Sequence, residues 1–349
     1  MSIRSSTSCV ISAAVGVLAL VGVEGAFAAK VEGPKVNWDL NTWGAKRAAT
    51  AGAEELSRLV GEATDGNFAI KVHYGEALGP IKEALDGLNI GAYQVTYTCL
   101  GYTPGKMPTF DGISLPFLPA TTMREQQAMR DGFLTSPIPH RDAARWGIST
   151  ILVQPNSPSQ LIGKGKVPQS LNDLKGLRVR AIGGDAAALR LIGVSAQNMP
   201  MTEVYGAVER GLLDAASSIY SSLAAFKMQE VSNWYTTNMA ISITGCMIFA
   251  GTKAMDSLPP QYKKLVMDSV PAVNDYWANA LTRDDNIAID AFKAKGLVPV
   301  AFKDSELAEL GQKVRPIWDA WVEQVDKLGY NGKELLQIIL DSARKAKTS

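Results

Sequence analysis

The chain has 349 residues, 46% of them hydrophobic and 20% charged, enough apolar material for two ordinary domains and too much for a disordered chain. Lys and Arg number 35, Asp and Glu 34, for a formal net charge of +1. That balance excludes the basic stripe that nucleic-acid binding requires, and it offers no attraction to an anionic membrane surface.

The N-terminus reads as a secretory signal peptide over residues 1–28. Arg4 supplies a positive start, residues 9–23 (CVISAAVGVLALVGV) an apolar stretch, and Ala26-Phe27-Ala28 a small-residue cleavage site. The stretch falls short of the roughly 20 residues that span a bilayer, and no later run reaches that length. The expectation is an exported, unanchored protein. Cys9 leaves with the signal. Cys99 and Cys246 remain, each in an apolar, strand-like stretch. They read as two buried thiols, with a disulfide as the alternative that an oxidising compartment permits.

In chain order, residues 36–40 form a strand candidate. A helix follows with a 3.6-residue stripe through Ala45, Ala48, Ala49, Gly52, Leu56, Leu59 and Val60, Gly52 being its weak point. Residues 68–74 alternate as a strand, 81–89 read as a short helix and 95–100 as a third strand. A Pro- and Gly-rich loop over 102–108 leads to Leu115-Pro116-Phe117-Leu118. Helices are expected over 124–132 and 140–146, and strands over 148–153 and 177–182. Thr202 caps a helix running to Leu213. A long apolar run covers 239–250. Pro259 and Pro260 open a helical region that runs to about Lys295, with a kink expected at Pro271. A strand over 297–302 and a helical region over 307–328 complete the chain. The alternation argues for α/β architecture, and two lobes joined by crossing strands fit the order.

Catalytic signatures are missing. His73 and His140 are the only histidines, and neither has a Cys or a second His within five residues, so no metal site is expected. There is no G-x-S-x-G elbow, no Walker A and no G-x-G-x-x-G. Glu54-Glu55 and Asp284-Asp285 lie among other charges on helices and read as solvated faces. No cofactor is expected, and no catalytic residue is assigned.

Arg180 stands apart. In Leu177-Arg-Val-Arg-Ala-Ile182 alternation puts Arg178, Arg180 and Ile182 on one face, and Gly183-Gly184 ends the strand. Arg180 is therefore near the carboxyl end of a strand, where α/β sheets hold ligands. Its guanidinium presents a rigid fork that matches a carboxylate. A surface salt bridge is the alternative.

These residues belong to a wider pattern. Ser170-Leu-Asn-Asp-Leu-Lys-Gly-Leu-Arg-Val-Arg180 resembles the DLkGlkiR segment of the DctP-like substrate-binding proteins of tripartite ATP-independent periplasmic (TRAP) transporters. Gln197-Asn-Met-Pro-Met-Thr-Glu-Val-Tyr205, continuing through Gly211 to Asp214, is similar to that family's EvY…G..D segment. The resemblance spans nearly the whole chain after the signal.

The resemblance implies a two-lobed, periplasmic-binding-protein-like α/β fold with crossing strands and a long bracing helix. It suggests residues 29–153 plus 242–285 for the first lobe and 154–241 plus 286–349 for the second. It implies a periplasmic carrier, not an enzyme, that delivers a small organic carboxylate to TRAP membrane subunits. Arg180 is then the residue that clasps the carboxylate. Family members that bind sugar acids or dicarboxylates often carry a second arginine before the DLkG segment. Here that stretch, residues 154–160 (QPNSPSQ), has none, which favours a monocarboxylate, with hydroxy-, keto- and aromatic acids as candidates. Ser217 and Ser218 stand where many members have other residues. Asn156 and these serines are candidate partners for a hydroxyl or keto oxygen. Trp43, Tyr97, Tyr102, Tyr205 and Phe249 complete the candidate ligand-binding set. The alternatives are a C4-dicarboxylate binder of the same family and a ligand-sensing module for a membrane receptor.

Overall fold

The computed structural model describes residues 30–348, so the expected signal peptide lies outside the described residues. The strands divide between two sheets. The chain builds β1 (Val36–Asn41), β2 (Phe68–His73), β3 (Val95–Cys99) and β4 (Ile148–Val153) into the first. It then crosses to the second for β5 (Gln160–Gly163), β6 (Arg178–Arg180), β7 (Ser195–Gln197), β8 (Ala215–Ser218) and β9 (Trp234–Thr236). It returns for β10 (Cys246–Gly251) and ends in the second sheet with β11 (Val298–Val300). The orders are β2-β1-β3-β10-β4 and β11-β9-β5-β8-β6-β7. The two strands that enter their sheet from the segments 154–159 and 237–245 run against their neighbours: β10 is antiparallel to β3 and β4, and β5 to β8 and β9, whereas β11 lies parallel to β9.

The inner strands β3, β5 and β10 are buried on both faces, which is why the stretches of β3 and β10 read as apolar runs. In β10, Cys246 and Ile248 enter one core with Leu40, Leu56 and Trp277, while Met247 and Phe249 enter another with Phe110 and Phe133. In β5, Leu161 packs with Val179 and Leu189, and Ile162 packs with Val208 and Phe292. A period of two residues produces this division in each strand.

Two segments, 154–159 and 237–245, connect the sheets and run side by side. The Gln154 amide donates to the Cys246 carbonyl (2.8 Å) and the Ser159 amide to the Ser242 carbonyl (2.9 Å). A 25-residue helix, Val270–Ala294, braces both lobes. Near its start, Trp277 Nε1 donates to the Ala48 carbonyl of the first lobe at 3.0 Å. Further along, Asp285 accepts the backbone N–H of Ser221 in the second lobe at 2.7 Å. Gly52, the weak point of the helix Ala51–Ala63, has its reason here: a Cβ at Gly52 would come within 1.9 Å of the Trp277 ring.

Several expectations need correction. Thr202 does not cap its helix: it lies inside Met201–Glu209, whose N-cap is Pro200 and which stops short of Leu213. Pro271 does not kink a continuous helix; the chain ends one helix at Asp268, and Pro271 sits in the first turn of the next, where its missing N–H costs nothing. The helical region over 307–328 is two helices, Asp304–Lys313 and Arg315–Lys327, and a further helix, Gly332–Thr348, follows. Residues 286–349 were expected in the second lobe, but the last two helices pack with the first sheet. Trp318 and Trp321 donate to the Pro116 and Pro108 carbonyls (2.9 and 2.8 Å), and Leu335 and Ile339 join the core around Phe110 and Phe133. Periodicity reveals an apolar stripe but not which sheet it will meet.

Candidate functional site

Arg180 is the last residue of β6 and is 2% exposed. Three neutral acceptors hold its guanidinium: Nε donates to the Met199 carbonyl (3.0 Å), Nη1 to the Ser217 carbonyl (2.9 Å) and Nη2 to the Tyr102 hydroxyl (3.2 Å). The last of these crosses between lobes. Among the described residues no carboxylate forms an ion pair with Arg180. A buried cation with only neutral partners is costly unless an anion completes its surroundings. Its strand neighbour Arg178 differs: Asp214, the aspartate of the G..D segment, accepts from its backbone N–H (2.7 Å), Nε (3.0 Å) and Nη2 (2.6 Å) at the surface.

Behind Arg180 lies Asp185, buried and accepting from the hydroxyls of Ser217 and Ser242, with Ser159 adding a third hydroxyl. Burial pushes its pKa up, and these hydroxyls and the Arg180 charge pull the other way. Two of the three serines belong to the two crossing segments.

The wall facing Arg180 is aromatic. Trp43 stacks on Tyr97 (centroids 4.8 Å apart, 24° between planes) and meets Tyr102 edge-on (5.5 Å, 81°). The Tyr97 hydroxyl donates to Gln154 Oε1 at 2.5 Å, and burial raises its pKa further from neutrality. Together Trp43, Tyr97, Tyr102, Asn156, Arg180 and Ser218 line a narrow cavity between the lobes, and the centres of water-sized atoms can occupy about 30 Å³ of it. The lobes touch around it. Asn198 Nδ2 donates to the Gly101 carbonyl (2.8 Å), and Gly184 approaches the Ser114 carbonyl so closely that a Cβ would lie 1.9 Å from it.

Three candidates fall outside this cavity. Phe249 is fully buried on the opposite face of its sheet, edge-on to Phe110 at 5.7 Å, because alternation sends it away from Cys246, which does line the cavity. Ser217 stands behind Arg180 and contributes its carbonyl and its bond to Asp185. Tyr205 is one turn beyond Met201, which lines the cavity, and its hydroxyl is 3.5 Å from Glu230 instead. Cys99 and Cys246 are not free thiols: they form a disulfide, their Cα atoms 3.8 Å apart as directly opposed residues of β3 and β10. Strand pairing across 147 residues is what the sequence reading lacked.

Sequence reasoning missed Gln154, Met201, Ser222 and Thr244 in the lining, and Arg47 beside it. Arg47 lies over the rings of Trp43 (4.8 Å) and Phe226 (5.3 Å), and burial lowers its pKa. A half-buried arginine in a short loop has no spacing signature. Neither histidine lines the cavity; His73 bonds Asp39 (2.6 Å) and His140 the Leu134 carbonyl (2.8 Å).

Two lobes around a cavity with a buried cation define a ligand-binding protein of the two-lobed class. Residues 41–324 match the family described as bacterial extracellular solute-binding protein, family 7 (DctP), and the chain belongs to that family. It is a family of solute-binding proteins, not of enzymes. A TRAP solute-binding protein from Rhodoferax ferrireducens, solved with copurified benzoate, shares the fold: TM-score 0.80, 20% identity, 90% of this chain and 99% of that one covered. The monocarboxylate 2-oxoacid-binding periplasmic protein of a Nostoc species is 23% identical over 305 residues, 84% of this chain and 80% of that protein. The C4-dicarboxylate-binding periplasmic protein of Rhodobacter capsulatus is 23% identical over 276 residues, 77% of this chain and 78% of that protein. No helix of the described residues is long and apolar enough to cross a membrane.

Proposed function

We propose that the protein works in the periplasm, capturing a small organic monocarboxylate between its lobes and presenting it to TRAP-type membrane subunits without chemical change. The observation that carries this reading is Arg180: a buried guanidinium at a strand end, between the lobes, surrounded by neutral acceptors. A ligand carboxylate supplies the missing negative charge, and closure around it excludes water and strengthens the pair. Among the described residues lining the cavity, Arg180 is the only charged one. One cation matches one carboxylate, which favours a monocarboxylate over the dicarboxylate bound by the Rhodobacter relative. The aromatic wall suits an apolar ligand body, and both the benzoate and the 2-oxoacid of the relatives' names carry a single carboxylate.

Titration calorimetry of the mature protein against aliphatic, hydroxy-, oxo-, aromatic and dicarboxylic acids tests the reading. One-to-one binding of a monocarboxylate, with recovery of the unaltered acid after hours of incubation, is the expected result. Binding of none of these acids, or their conversion as followed by NMR, would overturn it.

A further inference from the structure

Two polar atoms on the cavity residues find no hydrogen-bond partner within the protein: Trp43 Nε1 and Asn156 Oδ1, both buried. Their chemistry is fixed. The indole N–H can only donate. Asn156 Nδ2 donates to the Thr244 carbonyl at 2.8 Å, which identifies the amide nitrogen and leaves the other atom as an acceptor. Asn156 belongs to a crossing segment and Trp43 to the first lobe, and Arg180 faces them from the second. An unmet buried donor and an unmet buried acceptor are each costly, and native proteins leave few such groups.

We infer that the site selects a hydroxycarboxylic acid, whose carboxylate binds Arg180 while its hydroxyl accepts from Trp43 Nε1 and donates to Asn156 Oδ1. This rests on the carboxylate reading above and narrows it. A hydroxyl accepts and donates through a single oxygen. A keto oxygen satisfies Trp43 but sets a second acceptor against Asn156. A second carboxylate does the same with a full negative charge. A plain alkyl or aryl acid leaves both atoms unmet. The Arg47 guanidinium over the Trp43 indole, 4.8 Å from the ring centroid, draws on the ring's electrons and makes Nε1–H a stronger donor. Sites built to bond a ligand hydroxyl discriminate strongly against analogues that lack it.

The test is calorimetry of the mature protein with three matched series that share a carbon skeleton: propionate, lactate and pyruvate; butyrate, 3-hydroxybutyrate and acetoacetate; phenylacetate, mandelate and phenylglyoxylate. In at least one series the hydroxy acid should bind about 10- to 100-fold tighter than both of its counterparts. Trp43→Phe and Asn156→Leu should each pull that ratio towards one, with melting temperature recorded to confirm folding. The inference is overturned if plain or oxo acids bind as well as the hydroxy acid in every series that binds, or if both variants keep the wild-type ratio. In those cases carboxylate capture by Arg180 still stands. If no acid of any series binds, the carboxylate reading fails and this inference with it.

Discussion

The two walls of the cavity are built on different plans. The second lobe contributes charge: Arg180, fixed at the end of β6 by two backbone carbonyls, with Asp185 and its serines behind it. The first contributes shape: Trp43, Tyr97 and Tyr102, locked face to face and edge to face, tied at the back by the Cys99–Cys246 disulfide. On the proposed reading, the second lobe would recognise the carboxylate and the first would judge what the carboxylate is attached to. Ligand preference should diverge through the first wall without disturbing the anchor on the second.

The largest test of that division is Arg180→Ala. Ligand affinity should fall about 100-fold or more in calorimetry, because a desolvated carboxylate loses its partner. Arg180→Lys should lose at least about tenfold, since one ammonium cannot reproduce the fork. Retained affinity in both would mean that the charge is read elsewhere. Next comes the disulfide. Replacing Cys99 and Cys246 by Ala should lower stability to urea by about 2–5 kcal/mol, and reductant should do the same to the wild type. A change under about 1 kcal/mol would show that strand pairing alone holds the first wall. Tyr102→Phe removes the phenol that meets Arg180 Nη2 across the lobes, and should weaken binding about fivefold, near 1 kcal/mol. No loss there would separate the two walls completely.

The smallest effect concerns charge that the first lobe holds poorly. Burial, with repulsion from Asp142, raises the Asp111 carboxyl to about 7. Its folded pKa exceeds the unfolded value near 3.9, so the unfolded chain loses the proton first, and stability falls as pH rises from about 4 to about 7. Asp111 is partly exposed, which discounts the effect. Asp111→Asn should match the wild type at pH 4 and melt about 2 °C higher at pH 7.5, by scanning calorimetry. Equal melting at both pH values would show the carboxyl to be well solvated.

The parts of this arrangement that are local in the chain were readable from residues alone. Alternation and the glycine pair put Arg180 at a strand end. What was hidden depends on partners distant in sequence. The face of β10 that meets the cavity is the Cys246 face and not the Phe249 face, and only the pairing with β3 decides this. Arg47 gains its place from Phe226, 179 residues later, and the helix Arg315–Lys327 gains its lobe from the carbonyls of Pro108 and Pro116. Tyr205, taken from a motif, meets Glu230 on another element and does not line the cavity.

The helix Val270–Ala294 is fastened to one lobe at Trp277 and to the other at Asp285. Those attachments are eight residues apart, about 12 Å of rod at 1.5 Å per residue. Rocking of one half against the other would have to flex those two turns or release one fastening, as a leaf spring does. Were ligand capture to shut the jaws, stiffness between positions 277 and 285 would set how much binding energy the closure consumes.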